Sequence, residues 1–275
     1  RAHRSACLLA LELIPSWFFE TYLRYCIFSP EAFSDLGEAD QYKRHIRAVL
    51  EEVVRRISKE PRSPQSLKLS QIVAAQLNVI PLLFNREGNR EIYALRAKII
   101  AHYFGSLGLK LNEPAAKPPA SRPRIKVGFL NAHFSSQTET YTSIPAFSHL
   151  DRNRFEVVVY SLSSGGGVLE NYCRTRADDF VVLPKELDAQ VKKIRGDALD
   201  AIVIGTNVTA VTNHIAMLAS FRLAPVQLVN NSSPVTTGMA NVDGYLSGSF
   251  LVDADTADQY TEKVLEFEGP AHCFN

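Results

Sequence analysis

Cysteine is scarce and scattered. The chain has 4, Cys7, Cys26, Cys173 and Cys273, with no CxxC pair and no His/Cys cluster at metal-ligand spacing. That excludes a disulfide framework and predicts reduced thiols, a cytoplasmic protein and no bound metal. Net charge is almost absent as well: 30 basic against 29 acidic residues leave +1, so no global field would hold nucleic acid or an anionic membrane. There is no long uninterrupted apolar run. The most apolar stretch, residues 6–28, is broken by Glu12, Pro15, Glu20 and Arg24, short of the roughly 20 apolar residues that a membrane span requires, and is expected to form a buried helix pair. No GxGxxG fingerprint follows Leu130, which disfavours a free-standing dinucleotide-binding protein. No 34-residue repeat is evident, and Trp17 is the single Trp.

What is present is enough for two folding units. The chain has 275 residues, 46% of them hydrophobic, and single domains usually run to roughly 100–200 residues. Residues 111–124 carry Pro114, Pro118, Pro119 and Pro123 among Ala, Lys and Ser, a composition that predicts an extended, solvated linker. Before it, Tyr42, Ile46, Val49, Leu50, Val53 and Ile57 recur at three- and four-residue steps, so residues 38–59 should form an amphipathic helix with a solvated face of mixed charge. Ile92, Leu95, Ile99 and Tyr103 repeat the pattern in a helix that Gly105 or Gly108 would end. Ser29-Pro30-Glu31 has the composition of a helix start. Residues 1–110 are therefore expected to be an all-α domain of about four to six helices.

Beyond the linker the period changes. Residues 125–130, 155–162, 180–183, 201–204, 226–229 and 264–267 are short β-branched runs separated by helix-length segments. That alternation predicts an α/β lobe over residues 125–275, with a doubly wound, Rossmann-like parallel sheet covered on both faces. In open sheets of this kind ligands sit beyond the carboxyl ends of the strands, so function is to be sought in residues 131–141, 163–167, 205–212 and 230–238. Asn207 and Thr209 offer amide and hydroxyl groups suited to a sugar or a peptide backbone; an Asx cap for a following helix is the equally simple reading. The glycines of Ser163-Ser-Gly-Gly-Gly-Val168 permit a phosphate-cradling turn, although a flexible strand-to-helix connection is the expectation.

Four segments in a fixed order carry a resemblance. Phe155-Glu-Val-Val-Val-Tyr-Ser-Leu162, Arg222-Leu-Ala-Pro-Val-Gln227, Thr236-Thr237-Gly238 and Gln259-Tyr-Thr-Glu-Lys263 resemble the glycosyltransferase family typified by O-linked N-acetylglucosamine transferase and its SPINDLY-like relatives, which includes a bacterial N-glucosyltransferase branch. The resemblance spans residues 124–275 and implies the acceptor-side half of a GT-B fold. It further implies an inverting transfer from a nucleotide-diphosphate sugar, a UDP-sugar foremost, to Ser/Thr or Asn of a protein or peptide acceptor, with no obligatory metal. The donor Rossmann lobe would lie in a missing C-terminal part or a partner chain, so that this chain alone binds no cofactor; Arg1 in place of Met and the abrupt end at Asn275 fit a truncated chain.

Mapped onto this sequence, the family's first strand-exit loop falls on Asn131-Ala-His133-Phe134 and continues to Gln137 and Thr138. A family histidine near the acceptor is replaced by Gln137, leaving His133 as the candidate base, since imidazole titrates near neutrality. The remaining cleft candidates are Thr206, Asn207, Thr209, Asn230, Ser232, Thr236, Thr237 and Gly238, with Val208 and Ser233 departing from the family pattern. The rival expectation is a non-catalytic protein- or carbohydrate-binding module derived from the same fold.

Overall fold

The computed structural model describes residues 2–4, 11–85, 88–252 and 255–270. Cys7, Cys273 and the chain's last residues lie outside the described residues. Four α-helices come first: α1 (Ser16–Cys26), α2 (Glu38–Lys59), α3 (Pro64–Gln76) and α4 (Arg90–Ser106). The apolar stripe read from the sequence is the buried face of α2, where all six residues are at most 5% exposed. Gly108 takes a left-handed φ of 78° just past α4, as a helix-ending glycine does.

Two helical expectations need correction. Ser29-Pro30-Glu31 starts no helix. The carboxylate of Glu38 accepts the Ser34 amide at 2.7 Å, which folds the chain into a turn that enters α2 through Gly37 at φ 81°. The pattern operates instead at Ser63-Pro64, where the serine hydroxyl caps α3 by accepting from the Ser66 amide at 3.2 Å. Of the apolar stretch at residues 6–28, residues 6–10 lie outside the described residues; the rest holds a 3-10 turn at Leu11–Leu13 and α1, which is only partly buried, with Trp17 82% exposed while Phe19 and Leu23 face inward.

The second half alternates as expected: β1 (Ile125–Asn131), α5 (Thr138–Ser148), β2 (Phe155–Ser161), α6 (Val168–Thr175), β3 (Asp179–Val182), α7 (Leu187–Gly196), β4 (Ala201–Ile204), α8 (His214–Ala219), β5 (Val226–Val229), β6 (Gly244–Gly248) and β7 (Lys263–Phe267). The seven strands form one sheet in the order β3-β2-β1-β4-β5-β6-β7, and every pairing is parallel. Alternate residues feed opposite faces. Phe129, Val157, Val159 and Val203 pack with Phe134 and Phe147 on one side, while Leu130, Val158, Ile202 and Ile204 pack with α7 and α8 on the other. The sequence missed β6, a Gly-flanked strand without a β-branched run. Gly244 belongs there because an added Cβ would lie 2.8 Å from the side chains of Leu228 and Leu265.

Helices and sheet are packed together tightly. The Tyr93 hydroxyl on α4 donates to the Thr209 carbonyl at 3.0 Å, and the Val79 amide donates to the Ala210 carbonyl at 3.1 Å. Arg96, 1% exposed, donates to the Val208 carbonyl and the Thr212 hydroxyl. Its Nε has no hydrogen-bond partner, and burial lowers its pKa to about 10. Residues 111–124 contain neither helix nor strand, yet they are strapped to the lobe and not free in solvent. The Leu111 carbonyl accepts the Arg222 amide at 2.8 Å, the Ala116 amide donates to the Arg195 carbonyl, and Arg122 donates to the Ala198 carbonyl at 2.8 Å.

Candidate functional site

Strand order reverses between β1 and β4, because β2 and β3 continue outward from one and β5 to β7 from the other. The carboxyl ends of these two strands therefore flank the crevice where doubly wound sheets bind ligands. The two exits are stitched to each other. The Ala132 amide donates to the Thr206 hydroxyl at 2.9 Å, and the Gly205 amide donates to the Leu130 carbonyl at 3.0 Å. A Cβ on Gly205 would lie 2.3 Å from the Ser143 hydroxyl and 2.4 Å from Asn131 Oδ1, so the approach of α5 to β4 requires glycine here.

Several predicted positions prove to be framework. Asn131 is fully buried, and its amide donates to the Ser143 hydroxyl at 3.1 Å. Thr206 and Thr209 are buried; Thr209 gives both its amide and its hydroxyl to Asn207 Oδ1, at 2.8 and 2.9 Å. Asn207 thus closes an Asx turn. It does not cap α8, a role that falls to Asn213, whose Oδ1 accepts the Ala216 amide at 2.8 Å. The Thr-Thr-Gly loop is clamped by Glu262: Thr236 donates its hydroxyl at 2.6 Å and Thr237 its amide at 2.7 Å. Gly238 has φ +70°, and a Cβ added there would lie 2.3 Å from the Tyr93 carbonyl oxygen. Asn230 is 8% exposed and accepts the Ser232 amide. The Ser233 hydroxyl accepts the Val208 amide at 3.1 Å, so Val208 and Ser233 contact each other beneath the surface.

The accessible remainder is smaller. His133 is half-buried at the β1 exit, with its Nδ1 2.8 Å from the Ser135 hydroxyl. When Nδ1 carries the proton and donates to Ser135, the Nε2 lone pair is free to accept a proton. Gln137 supplies the N-cap backbone of α5 and Thr138 its first residue, without a side-chain cap. Asn207 and Ser232 are half-buried, and Ser232 meets the Thr142 hydroxyl at 2.9 Å. Glu139, overlooked in the sequence, joins the two sides of the crevice by accepting the Asn207 amide at 2.9 Å. A carboxylate in the first turn of a helix reads as a solvated complement to the helix dipole, which conceals such a role.

A cavity of about 770 Å³ opens between the β1 exit and the start of α6, walled by His133, Phe134, Tyr141, Leu169 and Tyr172. Beside it lies the triple-glycine turn, whose anion seat is already filled. Glu170, 4% exposed, accepts the Gly165 amide at 2.8 Å, the Gly166 amide at 3.2 Å and the Ser164 hydroxyl at 2.5 Å, and pairs with Arg174 at 2.8 Å. Burial alone would raise its pKa, but these donors outweigh it and hold the carboxyl at about 2. The turn cradles an internal carboxylate, so a phosphate would compete with a bonded anion. Among the described residues no group of three or more His, Cys, Asp or Glu could hold a metal, and no helix is long and apolar enough to cross a membrane.

The profile of glycosyl transferase family 41 matches residues 107–269. The probable UDP-N-acetylglucosamine–peptide N-acetylglucosaminyltransferase SPINDLY of Oryza sativa subsp. japonica is 26% identical over 57% of this chain and 17% of its own length. The probable UDP-N-acetylglucosamine–peptide N-acetylglucosaminyltransferase SEC of Arabidopsis thaliana is 24% identical over 66% of this chain and 18% of its own. This chain thus spans less than a fifth of those curated relatives. In fold, a mutant of Thermobaculum terrenum O-GlcNAc transferase superposes with a TM-score of 0.54 over 86% of this chain and 51% of that one, at 18% identity. With the profile covering more than half of its length, an all-parallel lobe of matching fold and the Arg222–Gln227, Thr-Thr-Gly and Glu262 segments bonded into one framework, this chain belongs to glycosyl transferase family 41.

Proposed function

We propose that the chain is the acceptor-side portion of a protein glycosyltransferase, which passes a sugar from a nucleotide-diphosphate sugar, a UDP-sugar foremost, to a Ser, Thr or Asn side chain of a polypeptide. One observation carries the reading: in a family 41 chain, the reversal point of the sheet presents an imidazole, His133, at an open crevice. The acceptor oxygen or nitrogen attacks the anomeric carbon while the bond from that carbon to the diphosphate oxygen breaks, which inverts the centre. The acceptor proton passes to His133 Nε2, and the bonding pair leaves with the diphosphate. The Gln137 side chain, which cannot take up a proton near neutrality, would orient the acceptor with its amide. Asn207 and Ser232 line the far side of the crevice.

Departure of the diphosphate needs positive charge or aligned amides. The amide turn of this lobe is occupied by Glu170, so we assign that task to a second Rossmann lobe, in sequence beyond this chain or in a partner. The names of the plant relatives favour UDP-N-acetylglucosamine as donor and a peptide as acceptor. Scattered cysteines, Cys26 and Cys173 among them buried as thiols, suit a reducing cytoplasm.

The test is transfer of labelled sugar from a panel of UDP- and GDP-sugars to cell-extract proteins by the complete gene product. His133→Ala should lower turnover by about 100-fold or more, and unchanged turnover would remove His133 as the base. The chain alone should show no micromolar heat of binding with UDP. A non-catalytic binding module is the second reading, favoured by Gln137 standing at a family histidine position; acceptor binding without transfer from any donor would establish it.

A further inference from the structure

The cavity beside His133 has a chemistry of its own. Its volume, about 770 Å³, lies within the roughly 300–1,000 Å³ of small-ligand sites. Phe134, Tyr141, Leu169 and Tyr172 give it apolar walls, and Val168 stands 90% exposed at its edge. The polar groups around the mouth are the hydroxyls of Ser135, Ser136, Ser163 and Ser164. No Lys or Arg lines it among the described residues.

Three ligand classes can be weighed against these walls. An anion finds neither a lining Lys or Arg nor the amides of Gly165 and Gly166, which already serve Glu170. Arg174 is likewise committed, to Glu170 and to the Phe180 ring 4.0 Å from its guanidinium carbon. A sugar ring usually needs an open aromatic face with amides or carboxylates beside it. Here Phe134 is buried within the wall, the Arg176 guanidinium carbon lies 5.1 Å from the centre of the Tyr172 ring, the one open ring, Tyr141, has a serine hydroxyl at 3.0 Å and no amide or carboxylate hydrogen-bonded to it, and the one carboxylate lining the cavity is spent. An uncharged peptide segment meets neither obstacle. A large apolar side chain removes these walls from water, and the hydroxyls of Ser135, Ser136 and Ser163 can donate to or accept from its backbone, that of Ser164 being given to Glu170.

The cavity also shares a wall with the crevice, since His133 and Ser135 border it on that side. We propose that it is a subsite for an aliphatic or aromatic side chain of the acceptor polypeptide, next to the residue that receives the sugar. The assignment rests on the acceptor-side reading above. It adds a preference, for apolar and against acidic or phosphorylated neighbours of the modified residue.

The experiment is amide-resolved NMR of this chain, titrated with a blocked five-residue peptide bearing leucines on both sides of a central serine. The parallel probes are the same peptide with aspartates in place of the leucines, maltose and UDP. The leucine peptide should shift the amide signals of Ser135, Ser136, Gly165 and Val168, and Val168→Asp, at an exposed position, should weaken that binding by about tenfold. Equal response to the aspartate peptide, response of these amides to maltose or UDP, or no response to the leucine peptide up to about 10 mM would overturn the subsite. Shifts confined to Asn207 and Ser232 would refute the subsite and leave the acceptor reading standing. Absence of sugar transfer by the complete gene product would strike the acceptor reading and leave the binding result intact.

Discussion

The exits of β1 and β2 and the exits of β4 and β5 belong to one sheet, yet they have opposite fates. On the first side the loops end in His133, the serines and an open cavity. On the second, α4 lies across the loops, and Thr206, Thr209, Thr236 and Thr237 turn their polar groups inward to partners within the chain. The position of a loop at a strand exit therefore marks it as a candidate for function, and what packs above it decides whether it serves. Substitutions on the covered side should cost stability, whereas those on the open side should cost activity and leave the fold intact.

The largest effect is expected at Gly238. Alanine there would have to keep a left-handed φ of 70° with its Cβ 2.3 Å from the Tyr93 carbonyl. About 1–2 kcal/mol for the conformation plus about 1–3 for overpacking should appear as a lowered midpoint in urea. Next comes Glu262→Ala, which leaves the Thr236 hydroxyl and the Thr237 amide without their acceptor and should cost about 2 kcal/mol, read in the same denaturation.

Glu170 sits at the boundary between the two sides and should show itself through pH. Its native pKa, about 2 against an ordinary 4.5, is depressed. The stabilisation it provides is thus fully present above about pH 4.5 and fades as pH falls towards 2. Denaturation midpoints measured across that window should show a smaller acid loss in Glu170→Gln than in the parent. The smallest change in stability is expected for His133→Ala, within about 0.5 kcal/mol, even though the same substitution should give the greatest loss of turnover. A large fall in its melting temperature would erase the contrast between the two sides.

Much of the architecture was legible because β-branched runs and helical stripes are local signals. Six of the seven strands and the buried stripe of α2 could be read from them. β6 could not, because Gly244 is there to let Leu228 and Leu265 close over it, a requirement set by strands that are distant in sequence. The site was half legible for the same reason. Parallel strands point their exits to one edge, which located the loops; the cover over Gly238 comes from Tyr93, more than a hundred residues earlier, and no local pattern announces it. Glu139 and Glu170 escaped notice because an acidic residue early in a helix is ordinarily a surface feature, while here both carboxylates reach back to loop amides.

We propose the division at residues 111–124 as a boundary of fold type only. Tyr93, Arg96 and the Leu111 carbonyl make bonds on the sheet side of that division, so cutting the chain at the prolines would strip a lid from the lobe, leaving acceptors without donors on the sheet fragment and the Tyr93 and Arg96 donors without acceptors on the helical one. Heat should melt helices and sheet in a single calorimetric peak, and an expression boundary chosen for solubility belongs upstream of Arg90.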